Sequence, residues 1–412
     1  MGATTEVLLE GPSSLERAAE SNIYDDSIRM LWASKLVYSF ADLLQQGRSG
    51  NLDLSNTFPP EVLDLYKEER LDCRDLEDGQ GLSITTILKI VEANVDNLKD
   101  IVSDAEHVAE IIEKIKTSMG TEEDITQSIF LKTFASIDQA TQCVYGVLKD
   151  VAKKRITVVF RGSVASGTRD WLTNFTFFLE GLHTPKLVKD SLEGSLKERI
   201  LVHRGFYRYI FDNSRAAGDQ RYDMILDDIK PYVEDGYKIY VTGHSLGGAL
   251  SSLLAFKLAG SDKEWIPKPV TCISFASPFV GSSGFRTAFT LLERMGMIRY
   301  LRVNTDQDVV PALLPMSLGW KKRFMKHVGL NLRLTCKSFI LTHPNTNGCG
   351  IMNAVRNAVI KPWCFIPCCI PRCGLKYHLL PLHEDRMEMH RDTLQTMNLE
   401  DLYDDEKLFG TI

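Results

Sequence analysis

The chain has 412 residues, of which 44% are hydrophobic and 25% charged, and its formal net charge is −6 at pH 7. This composition is typical of an ordinary globular protein, and the net charge gives no indication of nucleic-acid binding. The length predicts one large domain with additional segments, or two domains.

The amino terminus carries no targeting signal that we recognise. Its first residues, MGATTEVLLEGPSS, lack the basic start and long apolar run of a secretory signal. Gly2 follows Met1, but Glu6 occupies the position where an N-myristoylation signal has Ser or Thr. No run approaches the ~20 apolar residues of a membrane-spanning helix. We therefore expect a cytoplasmic protein whose contact with membranes is peripheral.

Residues 1–125 have helical patterning and no recognisable chemistry. Apolar residues at helical spacing predict helices over Ile28–Leu44, about Ile84–Ile101 and Ala105–Ile115. We expect a helical N-terminal region of unknown role.

From Gln127 onward, short β-branched runs alternate with helical stretches. The pattern predicts strands over Arg155–Phe160, Gly236–Thr242, Val270–Ala276 and Ile298–Asn304, and a helix over Leu246–Gly260. Such alternation predicts an α/β domain with a mostly parallel sheet covered by helices on both faces. We assign this domain to residues 126–400 and an acidic tail to 401–412.

The strongest chemical signal is the G-x-S-x-G pentapeptide from Gly243 to Gly247. It stands between a predicted strand and a predicted helix, which is the setting of a nucleophile elbow with Ser245 at its tip. The N-terminus of the following helix would place partial positive charge beside a developing anion. Alternatively, the two glycines only close a tight turn in a βαβ unit.

A nucleophilic serine needs a histidine base and a carboxylate that orients it. Asp306 and Asp308 follow the last predicted strand, at the edge where such sheets place catalytic groups. Either aspartate also suits a turn-capping role.

Five motifs together resemble the class 3 lipases, a family that includes fungal triacylglycerol lipases, sn-1 diacylglycerol lipases and plant phospholipase A1 enzymes. The motifs are GHSLGGAL, FRGS (Phe160–Ser163) with Asp170-Trp171 after it, VHRGF (Val202–Phe206), FASPFVG (Phe275–Gly281) and RVNTDQDVVP. Five motifs in family order are far more specific than any one of them. The resemblance covers about residues 127–394 and implies an α/β-hydrolase fold.

The resemblance also implies roles for individual residues. Asp308, which Val-Val-Pro follows, matches the family's triad acid, whereas Asp306 does not. The oxyanion hole would consist of Ser163, directly after FRG, and the backbone N–H of Leu246. No metal or organic cofactor is expected.

The catalytic histidine is less well defined. The histidines after Asp308 are His327, His343, His378, His383 and His390. In the family the catalytic histidine immediately precedes a C-terminal helix. Asp385 and Glu388 have capping-box spacing, which predicts a helix start just after His383. We therefore predict His383 as the base, with His378 as its rival.

Two segments are candidates for contact with lipid. Residues 172–201 carry aromatic and aliphatic side chains among lysines and would form a lid that opens on lipid. An ordinary surface helix and loop is the alternative. The basic cluster Trp320–Lys326 suits either anionic headgroups or a solvated charged surface.

Six of the nine cysteines lie in an insertion of about residues 336–373. The thiols of Cys364, Cys368, Cys369 and Cys373 would suit S-acylation or a lipid-facing loop. Zinc binding, disulfide formation and simple packing remain alternatives.

These features predict a serine hydrolase that cleaves acylglycerols or phospholipids through an acyl-enzyme. Its partner would be a lipid substrate at a membrane or lipid-droplet surface, without nucleic acid, and no protein partner is predictable. The alternatives are a hydrolase of small soluble esters and a lipase-like interaction module without activity.

Overall fold

The structure is a computed structural model. It describes residues 21–55, 58–63, 65, 67–68, 70–77, 79–94, 128–137, 143–162, 178–192, 199–211, 221–234, 236–306, 308, 310–312, 325–343 and 377–404.

The helices and strands of these residues alternate along most of the chain. The helices are α1 (Ile23–Arg48), α2 (Pro60–Leu63), α3 (Ile84–Ala93), α4 (Lys186–Leu192), α5 (Arg204–Phe211), α6 (Arg221–Ile229), α7 (Leu246–Ala259), α8 (Ser283–Arg294), α9 (Leu380–Glu388), α10 (Arg391–Gln395) and α11 (Leu399–Asp404). The strands are β1 (Arg70–Asp72), β2 (Leu82–Ser83), β3 (Ile129–Ile137), β4 (Cys143–Asp150), β5 (Arg155–Phe160), β6 (Leu179–Gly181), β7 (Leu201–His203), β8 (Lys238–His244), β9 (Val270–Phe275), β10 (Ile298–Thr305), β11 (Leu330–Leu334) and β12 (Phe339–Thr342).

One large sheet organises the described residues. Its strand order is β1-β3-β4-β5-β8-β9-β10-β11-β12, with β2 paired to β3. The central strands β5, β8, β9, β10 and β11 are parallel. The strands on either side are antiparallel. The predicted parallel sheet therefore forms the centre of a mixed sheet of the α/β-hydrolase type.

Helices cover both faces of this sheet, as predicted. One apolar core joins the sheet to α1, α3, α9, α10 and α11, and a second joins it to α4–α8. Neighbouring residues of β5 alternate between the cores, with Val158 and Phe160 in one and Val159 in the other. Every residue of β5 and β9 is buried, because both faces of a central parallel strand are covered.

The N-terminal helix α1 is part of the main core. Asn22 caps it, since its side chain accepts the backbone N–H of Asp25 at 2.8 Å. The helix packs against β5, β8 and β9 on one side and against α9 and α10 on the other. Segment 1–125 is therefore partly helical, through α1 and α3, while β1 and β2 join the sheet. The predicted helix Ala105–Ile115 lies outside the described residues.

Among the helices of the described residues, none is both long enough and apolar enough to cross a bilayer.

Candidate active site

Ser245 occupies a sharp turn between β8 and α7. Its backbone has φ 58° and ψ −123°, a conformation that is strained for any residue with a side chain. Two backbone hydrogen bonds, one to β9 and one to α7, hold this turn. The Ser245 N–H donates to the carbonyl of Phe275 at 2.9 Å, and the Ser245 carbonyl accepts the N–H of Ala249 at 3.3 Å. The serine therefore lies at the carboxyl edge of the sheet.

The two glycines of the pentapeptide permit this turn. A Cβ atom on Gly243 would lie 2.5 Å from the carbonyl carbon of Gly247. A Cβ atom on Gly247 would overlap the carbonyl oxygen of Phe160. Strand β8, helix α7 and strand β5 thus approach each other so closely that only glycine fits at either position.

The start of α7 is suited to an anion. Leu246 is its first residue, so its N–H belongs to the first turn, whose donors have no intrahelical acceptor. The side chain of Ser245 makes no capping bond to these donors in the part of the chain described. The N–H of Leu246, together with the helix dipole, suits a developing oxyanion. The other predicted oxyanion donor, Ser163, lies outside the described residues.

Asp308 lies just after the end of β10, and its partner is His378. The His378 Nδ1 and Asp308 Oδ2 atoms are 3.0 Å apart. The carboxylate side chain is fully buried, whereas 11% of the His378 side chain is exposed. The second oxygen of Asp308 accepts the N–H of Val310 at 2.9 Å, which fixes the carboxylate plane. Asp308 is therefore in a position to orient the imidazole of His378, which is the arrangement that its predicted role requires.

His378 lies beside the elbow. The Nε2 of His244, the residue before Ser245, is 2.7 Å from the carbonyl oxygen of His378, and the two rings are 4.5 Å apart. The Thr305 hydroxyl donates to the carbonyl of Tyr377 at 2.8 Å. These two bonds hold the backbone of residues 377–378 at the sheet edge where Ser245 lies.

His383 does not take the position we predicted for it. It lies inside α9, fully buried, with Nδ1 3.1 Å from the carbonyl oxygen of Leu379. Its Nε2 has no hydrogen-bond partner within the described part of the chain. Burial lowers the pKa of His383 to about 4, which makes it a poor base at neutral pH. The histidine that contacts Asp308 is His378, and we correct our choice accordingly.

The error came from the predicted start of the helix. The spacing of Asp385 and Glu388 indicated a cap at Asp385, but the cap of α9 is Leu379, six residues earlier, and the helix begins at Leu380. Pro381 lies in its first turn, a position that proline favours, and this was the signal available in the sequence. With the observed start, His378 is the histidine that directly precedes the helix.

The remaining histidines after Asp308 bond to other groups. His327 Nε2 lies 2.8 Å from the carbonyl oxygen of Pro311, His343 lies 3.3 Å from Glu293, and His390 lies 3.0 Å from the carbonyl oxygen of Thr335. We assign none of the three to the catalytic site.

The predicted lid is only partly described. Residues 178–192 form β6 and α4, with Phe178 half-exposed and Val188 buried in the core. Residues 172–177 and 193–198 lie outside the described residues, as do Trp320–Phe324 of the basic cluster and the four thiols from Cys364 to Cys373. The lid and the lipid contacts stay predictions.

Comparison with known proteins shows which family the central part of the chain resembles. Residues 157–318, less than half of the chain, match the family model described as lipase (class 3), and the match contains Ser245 and Asp308. This segment of the chain is similar to the class 3 lipases. His378 lies beyond the matched residues.

Curated proteins that are similar to the chain include a plant and a fungal enzyme. The chain is 32% identical over 181 residues to phospholipase A1-II 6 of Oryza sativa subsp. japonica, which covers 40% of this chain and 41% of that protein. It is 28% identical over 198 residues to a lipase of Rhizomucor miehei, covering 48% of this chain and 47% of that lipase. The chain thus spans less than half the length of these two relatives.

A solved structure of Rhizomucor miehei triacylglyceride lipase is also similar to the chain. The sequence identity is 25%, the match covers 52% of this chain and 71% of that one, and the TM-score is 0.39.

Proposed function

We propose that this protein is a serine hydrolase of lipid esters, with Ser245 as nucleophile, His378 as general base and Asp308 as the orienting acid. The observation that carries the proposal is the His378–Asp308 pair, which lies beside His244, the residue before the strained Ser245, at the carboxyl edge of the sheet. Nucleophile, base and acid also follow the chain order of α/β-hydrolases.

The proposed chemistry has two steps. Ser245 Oγ attacks the ester carbonyl while His378 Nε2 accepts its proton, and the imidazolium then protonates the departing alcohol. Asp308 accepts the Nδ1–H of His378, which selects the tautomer whose Nε2 is free to act as base. Water then hydrolyses the acyl-enzyme with His378 again as base. Besides the ester and water, these steps use groups of the chain.

During both steps, negative charge develops on the oxygen of the ester carbonyl, and hydrogen-bond donors are needed to stabilise it. The N–H of Leu246 at the start of α7 supplies one, and Ser163, which follows the described Gly162, is proposed for the second. Loss of one such donor typically costs about 3 kcal/mol of transition-state stabilisation.

For the substrate we propose a glycerolipid ester, either an acylglycerol or a phospholipid, met at a membrane or lipid-droplet surface. The support is the family together with two relatives whose names are phospholipase A1 and lipase. Purified protein, incubated with tri-, di- and monoacylglycerols and with phosphatidylcholine vesicles, should release fatty acid from at least one of them. Release from none of these lipids by a folded protein would contradict the proposal, and Ser245→Ala protein provides the blank.

A further inference from the structure

Helix α1 presents three side chains of one face to three separate parts of the proposed catalytic site. Lys35, Tyr38 and Asp42 are spaced three and four residues apart, so they line up along the helix. Sequence patterns assigned no role to this helix.

Lys35 contacts the helix that follows His378. Its Nζ lies 2.5 Å from Glu384 Oε2 in α9, and both side chains are almost fully buried. The indole N–H of Trp32 donates to the other oxygen of Glu384 at 3.1 Å. This buried pair fixes α9 against α1, and so fixes the segment that carries His378.

Asp42 contacts the segment that leads to Ser163. Its carboxylate forms an ion pair with Arg161, and both side chains are largely buried. Arg161 directly follows β5 and precedes Gly162. Helix α1 thus holds the segment that follows β5. The proposed oxyanion donor, Ser163, comes two residues after Arg161 in this segment.

Tyr38, between these two, contacts the elbow itself. Its hydroxyl oxygen lies 3.3 Å from Nδ1 of His244, and a Cβ atom on Gly162 would overlap that oxygen. His244 is buried, and burial first, then the neighbouring His378 and His383, lowers its pKa well below the usual range. Its ring is therefore neutral and carries a single proton.

The hydrogen bonds decide where that proton is. Because the Nε2 of His244 lies 2.7 Å from the carbonyl oxygen of His378, Nε2 is the donor. Nδ1 is then the acceptor for the Tyr38 hydroxyl. A single chain of bonds runs from Tyr38 through His244 to the backbone of His378, whose side chain Asp308 holds at the other end.

We propose that α1 is a part of the catalytic apparatus and that Tyr38 is a positioning residue, which acts through His244 on the location of His378. The inference rests on the proposed function, since it concerns the same triad. It assigns a role to a helix that lies outside the residues matched by the family model.

The test removes one oxygen atom. Tyr38→Phe keeps the ring and deletes only the hydroxyl, and we expect kcat on a soluble short-chain ester to fall about 3- to 10-fold, the effect of one lost hydrogen bond, with KM unchanged. Tyr24→Phe is the matched control. It deletes a hydroxyl from the same helix, but that hydroxyl contacts Glu388 and Arg391 and not the elbow. Its kcat should stay within about twofold of wild type.

A double-mutant cycle tests the route through His244. Glutamine at position 244 has no counterpart of the ring Nδ1, so in His244→Gln protein the Tyr38→Phe change should alter kcat by less than about 1.5-fold. A similar loss of kcat in both backgrounds would overturn the inference, and so would a Tyr38→Phe enzyme as active as wild type. A wild-type protein without esterase activity would overturn the proposed function and this inference with it. If the wild type is active, the proposed function stands, and the Tyr38→Phe result tests this inference alone.

Discussion

Ser245 and His383 are both buried polar side chains near the same edge of the sheet, but their surroundings give them different chemistry. Ser245 is held at a positive φ, a strain of about 1–3 kcal/mol that persists only because the surrounding packing imposes it. His383 is enclosed in α9 and stays neutral. His378 keeps a partly exposed ring and a buried carboxylate partner. Reactivity at this edge therefore depends on contacts and not on the presence of a histidine.

We predict that His378→Ala lowers kcat by about a thousandfold or more, because the base and its bond to Asp308 are both lost. His383→Ala is the matched control. It removes a ring of equal size from the same segment and should lower stability by about 1–4 kcal/mol while kcat stays within about tenfold. Kinetics on a soluble ester and urea unfolding measure the two effects. The reverse ranking of the two kcat values would return the role of base to His383.

We predict that the free energy of unfolding decreases as the pH falls from about 6.5 toward 4. Burial lowers the pKa of His383 to about 4 and holds the pKa values of His244 and His327 well below the usual range. The unfolded chain binds protons on these three rings in that window and the folded chain does not, so acid favours unfolding.

Urea unfolding at pH 7 and pH 5 measures this dependence. Replacing His383 by Gln removes one of the three rings and should reduce the difference between the two pH values. Equal stability of the wild type at both values would show that these rings are not held neutral in the folded protein.

At the scale of elements, local patterns predicted the strands and the helix that position Ser245, the proposed nucleophile. Arg155–Phe160 was predicted and observed as β5, and the helix predicted over Leu246–Gly260 is α7, Leu246–Ala259. These segments carry buried, β-branched or small-residue runs that determine their conformation locally. The short helix α9 is mostly polar in sequence, so its start was misjudged. The contact of Tyr38 with His244 joins residues 206 positions apart, and no local pattern encodes it.

Helix α1 and helix α9 are joined by a buried ion pair, which makes a specific prediction about stability. Lys35→Met should lower the free energy of unfolding by about 3–5 kcal/mol, because Glu384 is left as a buried charge without its cation. Arg74→Met breaks an exposed pair with Asp72 and should change it by less than about 1 kcal/mol. Chemical denaturation of both variants measures the difference. Equal effects would mean that the Lys35–Glu384 pair is solvated.

At the scale of the whole molecule, the first and the last of the described helices contribute to the same core on one face of the sheet. The N–H of Ile23, at the start of α1, donates to the carbonyl of Met397 near the C-terminus at 2.8 Å. Helix α1 and helices α9–α11 thus pack side by side over one face of the sheet. This sheet includes strands from the residues that the family model matches. We expect α1 to be needed for folding of this core as well as for the geometry of the proposed catalytic site.

Membrane contact is also a property of the whole molecule, and we propose that it is peripheral and involves the cysteine-rich insertion. Replacing Cys364, Cys368, Cys369 and Cys373 by Ser should release the protein from the membrane fraction. The basic cluster Trp320–Lys326 would then be the one remaining membrane-binding segment, and a single weak segment gives only marginal anchoring. Hydrolysis of a soluble short-chain ester should be unaffected.

Cys336→Ser is the control, since this thiol is exposed and precedes the group of four. Loss of soluble-ester activity in the quadruple variant would assign the four thiols a structural role and reject the membrane role.

The central claim is that Ser245 is a nucleophile activated by His378. A fluorophosphonate probe reacts covalently with such a serine, and mass spectrometry of the labelled protein locates the adduct. We predict one adduct, on Ser245, that is absent from Ser245→Ala and strongly slowed in His378→Ala, while both variants keep the far-ultraviolet circular dichroism of wild type. A folded wild-type protein that acquires no adduct on Ser245, or a Ser245→Ala protein that hydrolyses esters at the wild-type rate, would contradict this account.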